Sequence, residues 1–465
     1  MDFRIEHDLI GEREVPAGAY WGVHTLRALE NFPISGVPVG ADAALVRALA
    51  QIKAAAARAN ADLGLLEATR SAAIGQACAE IVAGALHDQF VVDQIQGGAG
   101  TSTNMNANEV IANRALELMG RQRGDYAFLH PNEHVNLGQS TNDVYPTALR
   151  LAAWEQVAGL LAAMAVLGDA FAAKAAEFAD VLKMGRTQLQ DAVPMTLGQE
   201  FGTYAVMIGE DRQRLQEAAR LLLEISLGAT AIGTGLNAHP AYAGRVREVL
   251  SEAIGLDLVT APDLVEATQD CGVFVQLSGV LKRIAVKLGK VCNDLRLLSS
   301  GPRAGLGEIN LPARQSGSSI MPGKVNPVIP EVVNQIAFEV IGNDTTVTLA
   351  AQGGQLQLNA FEPIISYSLS RSISHLTRGC QVLASHCVEG ITANRDRLRA
   401  QVEASVGLAT ALNPFLGYVV ATEVAVEAHA TGDSVREIVL RRGLMDAARL
   451  DAVLRPERLT APASP

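Results

Sequence analysis

Apolar residues repeat at intervals of three and four positions along most of the chain, which is the spacing of one face of an α-helix. The first strong repeat follows Asp42 and includes Leu45, Leu49 and Ile52. Gly64 is a suitable end for this helix, because glycine readily takes the left-handed conformation. Later repeats predict helices at about 68–86, up to Met119, onward from Val157, and at about 194–227, 262–299 and 328–352.

The lengths of these helices predict the fold class. Several exceed twenty residues, and no alternating strand pattern separates them, so we predict a mainly α fold built on an elongated helical bundle. Residues 1–40 are interrupted by glycine and proline and are predicted as loops with one short hairpin. Ser434 and Glu437 form the S-x-x-E pattern of a capping box, which indicates a smaller helical unit near the C-terminus.

Composition and charge support a helical protein that does not bind nucleic acid. Hydrophobic residues make up 49% of the chain but aromatic residues only 4%, so the core is built mostly from small aliphatic side chains that suit closely packed helices. The formal net charge of −11 excludes the clustered basic surface that phosphate binding requires. Helices of this length expose faces that one chain does not cover, so we expect an oligomer.

The cysteines and the N-terminus predict a compartment. The five cysteines include no C-x-x-C pair, which indicates reduced thiols and the cytoplasm. The first residues lack the apolar core of a signal peptide. The longest strongly apolar run, at 157–168, is too short to span a bilayer, so the sequence predicts a soluble protein with no membrane partner.

Four clusters of small hydroxyl and amide side chains are the candidate chemistry of this chain. They are Thr101-Ser-Thr-Asn104, Ser140-Thr-Asn142, Thr187-Gln188 and Ser318-Ser319. Each stands beside a glycine or at a predicted helix start, where backbone N–H groups are also free. The chain has no P-loop, no Rossmann glycine fingerprint, no G-x-S-x-G elbow and no H-E-x-x-H helix. Together with Lys324, the clusters predict a site for a small dianion.

The last cluster lies in a segment that combines flexibility with anion binding. Glycines on both sides of Ser318 and Ser319 let the backbone turn and move. Lys324 and Asn326 then offer one cation and one amide just before Pro330, where the N-terminus of a helix favours negative charge. The sequence therefore predicts a mobile loop next to a carboxylate-binding segment.

This segment also carries a family resemblance. Gly317-Ser-Ser-Ile-Met-Pro-Gly-Lys-Val-Asn326 resembles the signature loop of the aspartase/fumarase superfamily, in the form G-S-S-x-x-P-x-K-x-N. Residues 98–109, 139–143 and 185–200 resemble other regions of that superfamily, in the same order along the chain. The resemblance extends over about residues 11–432, which is nearly the whole chain.

The resemblance implies a fold and an assembly. It implies three mostly helical domains, at 1–140, 141–395 and 396–465, with the central helices of four subunits packed into one bundle. It also implies a homotetramer in which residues from three subunits meet at each site. Such an assembly would let clusters that are distant in sequence bind one small substrate.

Within the superfamily, residues 20–31, 139–146 and 342–348 are most similar to the aspartases. Fumarases usually have histidine where this chain has Gln188. Hydration of fumarate requires a base that activates water, which an amide cannot be, whereas ammonia is already a nucleophile. The resemblance together with Gln188 therefore implies reversible deamination of L-aspartate to fumarate and ammonia.

The resemblance also assigns roles to the clusters. Ser318, as an alkoxide, would remove a proton from C3 of L-aspartate, and the negative charge would collect on the β-carboxylate as an enediolate-like intermediate. Since a serine hydroxyl is a very weak acid, its ionisation is expected to depend on closure of the loop over the substrate. The remaining residues would bind the substrate: Thr101, Ser140, Thr141 and Ser319 the β-carboxylate, Lys324 and Asn326 the α-carboxylate, and Asn142, Thr187 and Gln188 the amino group.

The resemblance implies no required cofactor and no metal site, and the sequence does not show whether a divalent cation activates the protein. Two other functions stay open. One is fumarate hydratase or another fumarate-releasing lyase that acts on N-substituted aspartates, and the other is a non-catalytic structural protein of the crystallin kind. Intact Ser318, Lys324 and Asn326 favour an enzyme, because a structural descendant can lose the loop and keep the helices.

Overall fold

The computed structural model describes residues 2–461, and its regular structure is mostly helical. The α-helices are α1 (Val23–Asn31), α2 (Ala43–Asp62), α3 (Ala68–Val82), α4 (Thr101–Leu118), α5 (Thr141–Glu177), α6 (Leu197–Arg220), α7 (Tyr242–Ile254), α8 (Leu264–Ala267), α9 (Gly272–Leu298), α10 (Val328–Gly353), α11 (Glu362–His386), α12 (Arg395–Ala404), α13 (Asn413–Leu416), α14 (Tyr418–Thr431), α15 (Val435–Arg441), α16 (Ala447–Val453) and α17 (Pro456–Leu459).

The strands of the described residues are short and pair only in twos. They are β1 (Phe3–Asp8), β2 (Gly11–Pro16), β3 (Leu182–Thr187), β4 (Gln190–Thr196), β5 (Glu224–Ile225), β6 (Val259–Thr260), β7 (Ile309–Asn310) and β8 (Thr392–Ala393). Pairs β1–β2, β3–β4 and β7–β8 are antiparallel, and β5–β6 is parallel. The mainly α prediction therefore agrees with this structure.

The chain forms two compact units. The first contains the described residues up to Leu161 together with 213–285 and 338–376, and the second contains 162–212, 286–337 and the described residues from Thr377 onward. Helices α5, α6, α9, α10 and α11 each contribute residues to both units. The three domains predicted from the resemblance stay a prediction.

In the first unit, α2 packs against α3 and α7, and α3 packs against α4. Helix α2 begins as predicted, because the carboxylate of Asp42 accepts a hydrogen bond from Leu45 N at 3.1 Å and satisfies a free N–H group of the first turn. Gly64 follows the helix with φ +72°. Leu45, Leu49 and Ile52 are fully buried. The predicted start, end and apolar face of α2 are confirmed.

Helix α1 is an element that the sequence pattern does not predict. Residues 1–40 contain the expected hairpin, β1–β2, but also this helix. The carboxylate of Glu109, in the middle of α4, accepts hydrogen bonds from the backbone N–H groups of Gly22, His24 and Thr25 at 2.8–3.2 Å. A helix whose N-terminus is satisfied by a residue so distant in sequence carries little local signal.

The second unit has an aromatic core and an aliphatic one. Phe171, Phe178, Phe201 and Tyr204 pack with ring centroids 5.4–6.1 Å apart, mostly edge to face. The C-terminal helices α14, α15 and α16 bury a separate aliphatic cluster. The aliphatic cluster packs β3 of the β3–β4 hairpin together with the C-terminal helices.

The capping box at the start of α15 is confirmed. Ser434 Oγ accepts from Glu437 N at 3.2 Å, and Glu437 Oε2 accepts from Ser434 N at 2.9 Å. One other prediction was wrong in detail, because the helix expected at 262–299 is interrupted between α8 and α9. The β3–β4 hairpin is an element that the sequence pattern does not predict.

Helix α5 is apolar over a longer stretch than the run at 157–168. By length and composition alone this helix could cross a bilayer, because an 18-residue stretch within it has a mean hydropathy of 1.6. Of the residues in that 18-residue stretch, 39% are buried. A core helix of a soluble protein meets the same criterion. Leu160, Leu167 and Phe171 are fully buried, so we interpret α5 as a core helix.

We expect Asp42→Ala to lower the free energy of unfolding by about 1–2 kcal/mol, because the first turn of α2 loses its cap. Asp42 also accepts from Gln156 Nε2 at 3.0 Å, and that contact would be lost with it. Asp42→Asn is the control, since asparagine keeps a capping oxygen. Urea denaturation followed by circular dichroism measures both variants, and equal losses would contradict the capping role.

Candidate active site

Thr101 is the first residue of α4, and a left-handed stretch of backbone leads into it. Gly98, Ala99 and Gly100 have φ of +92°, +54° and +88°. A side chain on Gly100 would lie 2.4 Å from the ring of Tyr145, so only glycine lets α4 start this close to α5. The exposed Thr101 hydroxyl donates to Gly98 O at 2.8 Å. Thr101 must give up this hydrogen bond before it can donate to a ligand.

Ser140, Thr141 and Asn142 lie at the start of α5, and each keeps a polar group for a ligand. The hydroxyl oxygens of Ser140 and Thr141 accept from Asn142 N at 3.1 Å and from Asn104 Nδ2 at 3.0 Å. Asn142 Nδ2 donates to Ala231 O at 2.7 Å, and its Oδ1 has no partner among residues 2–461. The two hydroxyl protons can therefore bind a carboxylate, and the amide oxygen can bind an ammonium group.

Asp143 fixes the backbone beneath these residues. Its carboxylate accepts from Ser140 N at 3.1 Å, from Gly228 N at 3.1 Å and from Thr230 N at 2.9 Å. The side chain is fully buried, and burial raises the pKa of Asp143 to about 7. Three backbone donors at one carboxylate hold the start of α5 against the turn that contains Gly228 and Thr230.

Lys53 is a residue of this region that the sequence analysis does not identify. It lies in α2 with no exposed surface, and its Nζ donates to Asn136 Oδ1 and to Gln139 Oε1, both at 2.9 Å. Burial lowers the pKa of Lys53 to about 7. The sequence could have indicated that this lysine is buried, because Lys53 is four residues after Leu49 on the apolar face of α2.

Thr187 and Gln188 lie at the tip of the β3–β4 hairpin, close to Gly185 of β3. Gln188 and Leu189 have φ of +54° and +64°, and the flanking Thr187 and Gln190 are paired, so the loop has the two-residue form of a type I′ turn. This turn usually contains asparagine and glycine. Left-handed backbone costs other residues roughly 1–2 kcal/mol each, so the hairpin holds Gln188 in a strained conformation.

A buried ion cluster anchors the hairpin close to its tip. The fully buried Glu308 pairs with Lys183 Nζ at 2.8 Å and, through its other oxygen, with Arg186. Lys183 also pairs with Glu200 at 2.5 Å. Removing one partner of a buried ion pair is costly, so the cluster fixes strand β3 one residue before Thr187.

Ser318 accepts two hydrogen bonds from the backbone of its own loop. Ile320 N and Met321 N donate to Ser318 Oγ at 3.1 and 3.0 Å. The side chain is half-buried. Two N–H donors stabilise a negatively charged oxygen more than a neutral one. These two donors would therefore favour an ionised Ser318 over the neutral hydroxyl.

The ends of this loop are joined. Gly317 N donates to Lys324 O, and Asn326 Nδ2 donates to Gly317 O, both at 2.8 Å. A side chain on Gly317 would lie 2.7 Å from Lys324 O and 2.8 Å from Asn326 N. Ser319 Oγ and Lys324 Nζ have no partner among residues 2–461 and can bind an anion. Asn326 helps to shape the loop as well as being a candidate ligand residue.

The predicted site residues divide between the two units. The first unit brings together the starts of α4 and α5, and the second carries the hairpin tip and the Ser318 loop. In the described part of the chain, no hydrogen bond or ion pair joins that tip to that loop. Residues 2–461 also contain no group of three or more His, Cys, Asp or Glu side chains that could hold a metal ion. A cavity of about 800 Å³ in the second unit contains none of these site residues.

Comparison with known proteins identifies the family. A family model described as Lyase matches residues 11–342, and a second, described as Fumarase C C-terminus, matches residues 408–461. The chain belongs to the aspartase/fumarase superfamily. Membership agrees with the collinear motifs and with the mainly α fold.

Relatives within the superfamily match the chain over its length. Aspartate ammonia-lyase from Pseudomonas fluorescens is 60% identical over 99% of this chain and 96% of its own length. Aspartate ammonia-lyases from Helicobacter pylori strain J99 and from Escherichia coli K12 are 56% and 54% identical, over 99% of this chain and 98% and 97% of theirs.

Solved structures of the superfamily have the same fold. The fumarate lyase:delta crystallin from Brucella melitensis, bound to cobalt, is 57% identical with a TM-score of 0.97, over 99% of this chain and all of that one. The class II fumarase from Schistosoma mansoni is 34% identical with a TM-score of 0.93, over 98% of each chain. The predicted fold class is confirmed.

We expect Gly317→Ala to open the Ser318 loop, because the added methyl group would clash with backbone atoms that close it. Hydrogen exchange at Ile320 N and Met321 N should become faster, as measured by mass spectrometry or NMR. Gly279→Ala is the control, since Gly279 lies in α9 outside the loop, does not have a positive φ, and has no atom within 4 Å of an added side chain. Unchanged exchange in Gly317→Ala would show that the loop does not need this closure.

Proposed function

We propose that this chain catalyses the reversible deamination of L-aspartate to fumarate and ammonia, as a carbon–nitrogen lyase. The observation that carries the proposal is the environment of Ser318, whose Oγ accepts two N–H groups inside the loop that resembles the superfamily signature. Relatives named aspartate ammonia-lyase are 54–60% identical over 99% of the chain, which supports the same substrate.

Ser318 acts as the base in this proposal. Its alkoxide takes the C3 proton, and the electron pair of the C–H bond moves onto the β-carboxylate as an enediolate-like intermediate. The pair then returns to form the C2–C3 double bond while the C2–N bond breaks. The ammonium group of the substrate leaves as neutral ammonia, and the proton on Ser318 passes to solvent. The departure of ammonia needs no strong acid, so a site without histidine is adequate.

The binding groups fit this charge distribution. Ser140 and Thr141 have hydroxyl protons free for the β-carboxylate, and Ser319 and Thr101 complete that set in the proposal. Lys324 and Asn326 bind the α-carboxylate. Donors that shorten as charge develops on the β-carboxylate stabilise the intermediate more than the substrate, and this difference lowers the barrier.

The amino group is bound by the remaining residues. Asn142 offers the free Oδ1, and Thr187 and Gln188 add polar groups from the hairpin tip. Gln188 cannot serve as a base that activates water, which favours deamination over hydration.

We also propose a homotetramer in which three subunits contribute to each site. Exposed apolar helix faces support it. On α10, Phe338, Ile341 and Leu349 lie on one face and are 67%, 37% and 63% exposed. Val206 of α6 and Val286 of α9 are more than half exposed as well. Packing of such faces between subunits would remove them from water.

No cofactor is part of the proposed reaction, because proton removal and loss of ammonia need no redox or group-transfer chemistry. Divalent-cation activation is a separate property that the proposal does not require. We place the protein in the cytoplasm, and the reduced state of its five buried cysteines suits that compartment.

Purified protein should release fumarate and ammonia from L-aspartate, with fumarate followed by its absorbance and ammonia by a coupled enzyme. L-malate is the comparison substrate. Faster turnover of L-malate would identify a hydratase, and inactivity on both would favour a structural protein.

Ser318→Ala should lower kcat by roughly 10²–10⁴-fold, because the proposed base is removed. Ser319→Ala is the matched control in the same loop, and it should lower kcat much less than Ser318→Ala, because it removes one of several donors to the β-carboxylate and leaves the base in place. A Ser318→Ala variant with a rate near that of the wild type would refute the assignment of the base.

Phe338→Glu should reduce the mass of the assembly, because a charge on the apolar face of α10 opposes packing between subunits. Tyr418→Glu is the control, since Tyr418 is 75% exposed on α14, outside that face. Size-exclusion chromatography with light scattering measures both variants. An unchanged mass for Phe338→Glu would remove α10 from the proposed interface.

A further inference from the structure

We propose that Lys53 is a positioning residue that fixes the direction in which Thr141 donates its hydroxyl proton. The proposal rests on the proposed function, in which Thr141 binds a substrate carboxylate. Lys53 acts through Asn136 and Asn104 and touches no substrate atom itself.

Lys53 determines the orientation of two amides. A lysine ammonium group has three N–H donors and no acceptor, so the atoms that face Nζ in that form must be oxygens. They are Asn136 Oδ1 and Gln139 Oε1, both at 2.9 Å. The other end of each amide then has to donate. Gln139 Nε2 donates to Val135 O at 2.9 Å, and Asn136 Nδ2 donates to Gln139 O at 3.2 Å.

The orientation of Asn136 in turn fixes the hydrogen bond that Thr141 receives from Asn104. Because Asn136 Oδ1 already faces Lys53, Asn104 has to present its Nδ2 to that oxygen, and it does so at 3.2 Å. The second N–H of Asn104 donates to Thr141 Oγ1 at 3.0 Å. The Thr141 oxygen is therefore an acceptor on its inner side, and its proton is left for a partner outside the network.

Two buried oxygen atoms show that the direction is imposed by the network. Asn108 also presents Nδ2 to Asn136 Oδ1, at 3.1 Å. Asn104 Oδ1 and Asn108 Oδ1 are both buried without a hydrogen-bond partner. A reversed Asn104 would place its oxygen against the oxygen of Asn136, although Thr141 could then donate inward. The observed arrangement leaves two acceptors unsatisfied, while Asn136 Oδ1 accepts from Lys53, Asn104 and Asn108 and the amide of Asn104 also donates to Thr141.

Burial of Lys53 is only partly compensated by charge. Among residues 2–461 no carboxylate lies within ion-pair distance of Nζ, and the buried Asp143 favours the charged lysine from a longer distance. A buried amine without a direct ion pair is destabilising compared with an apolar side chain of similar size. Burial lowers the pKa of Lys53 to about 7. Both protonation states keep at least two N–H groups, so the two bonds to Asn136 and Gln139 persist on either side of that pKa.

A double-mutant cycle tests the coupling. Thr141→Val should lower kcat/KM for L-aspartate about 10–100-fold, because it removes a hydrogen bond to a carboxylate on which charge develops. Asn104→Asp, whose carboxylate can only accept, turns the Thr141 proton inward and should lower kcat/KM by a similar factor. In the Asn104→Asp background, Thr141→Val should change kcat/KM by less than a further twofold.

Asn108→Asp is the matched control. It introduces the same charge beside Asn136, and among residues 2–461 Asn108 makes no hydrogen bond with Thr141. Thr141→Val should therefore keep its full effect on kcat/KM in the Asn108→Asp background. Equal effects of Thr141→Val in the wild type and in Asn104→Asp would overturn the proposal, and so would loss of that effect in Asn108→Asp.

Lys53→Met extends the test to the start of the network, because methionine has a similar shape and no donor. It should reduce the effect of Thr141→Val on kcat/KM to less than twofold, whereas Asn136→Asp, which keeps the acceptor, should preserve that effect. A full effect of Thr141→Val in the Lys53→Met background would overturn the role of Lys53. Where Lys53→Met does not fold, the Asn104 and Asn108 pair decides.

Neutron diffraction of the wild-type protein separates this inference from the proposed function. The deuterium of Thr141 should point away from Asn104 Nδ2, and a deuterium on the line between Oγ1 and Asn104 would overturn the inference even in an active aspartate lyase. If the wild-type protein does not turn over L-aspartate, the proposed function fails, while the deuterium position still tests the direction of the hydrogen bond.

Discussion

Pairing of buried donors with acceptors is the constraint on which the start of α5 depends. Apolar packing brings α2, α4 and α5 together, but it does not decide which atom of an amide faces which neighbour. Asn104 and Asn136 have those directions fixed, and the carboxylate of Asp143 holds the backbone that follows. A buried polar group without a partner costs roughly 1–3 kcal/mol, so the network has few alternative arrangements. The direction of the Thr141 hydroxyl group is fixed by this network.

The sequence predicts the parts of the molecule that depend on local signals. Helix α2 was predictable because Asp42, the apolar repeat and Gly64 all lie within it or next to it. Ser318 was recognisable because glycine, proline and lysine stand at fixed distances in one loop. Helix α1 was not, since its cap is Glu109, which is contributed by another helix. Lys53 was overlooked because a lysine within an apolar repeat gives no indication of the amides that it will meet.

The β3–β4 hairpin shows a different limit of sequence analysis. Its turn residues, Gln188 and Leu189, take left-handed backbone conformations that usually require asparagine or glycine. The turn therefore has no sequence signature, and it forms because Glu308 and the rest of the hairpin hold it. Strain of this kind persists where the surrounding structure determines the backbone, and such places are often functional. The hairpin tip carries two of the residues proposed to bind the amino group.

The candidate binding groups are mostly neutral, and this has a chemical consequence. Lys324 is the one cation among them, whereas the substrate and the product of the proposed reaction each carry two carboxylates. A site with several cations would bind both as tightly as the intermediate, and uniform binding of that kind does not increase kcat. Neutral donors with fixed directions respond mainly to the charge that develops on one carboxylate. A hydroxyl such as that of Thr141 serves this purpose only when its proton is already aimed, so the direction of the buried amides becomes part of the catalytic design.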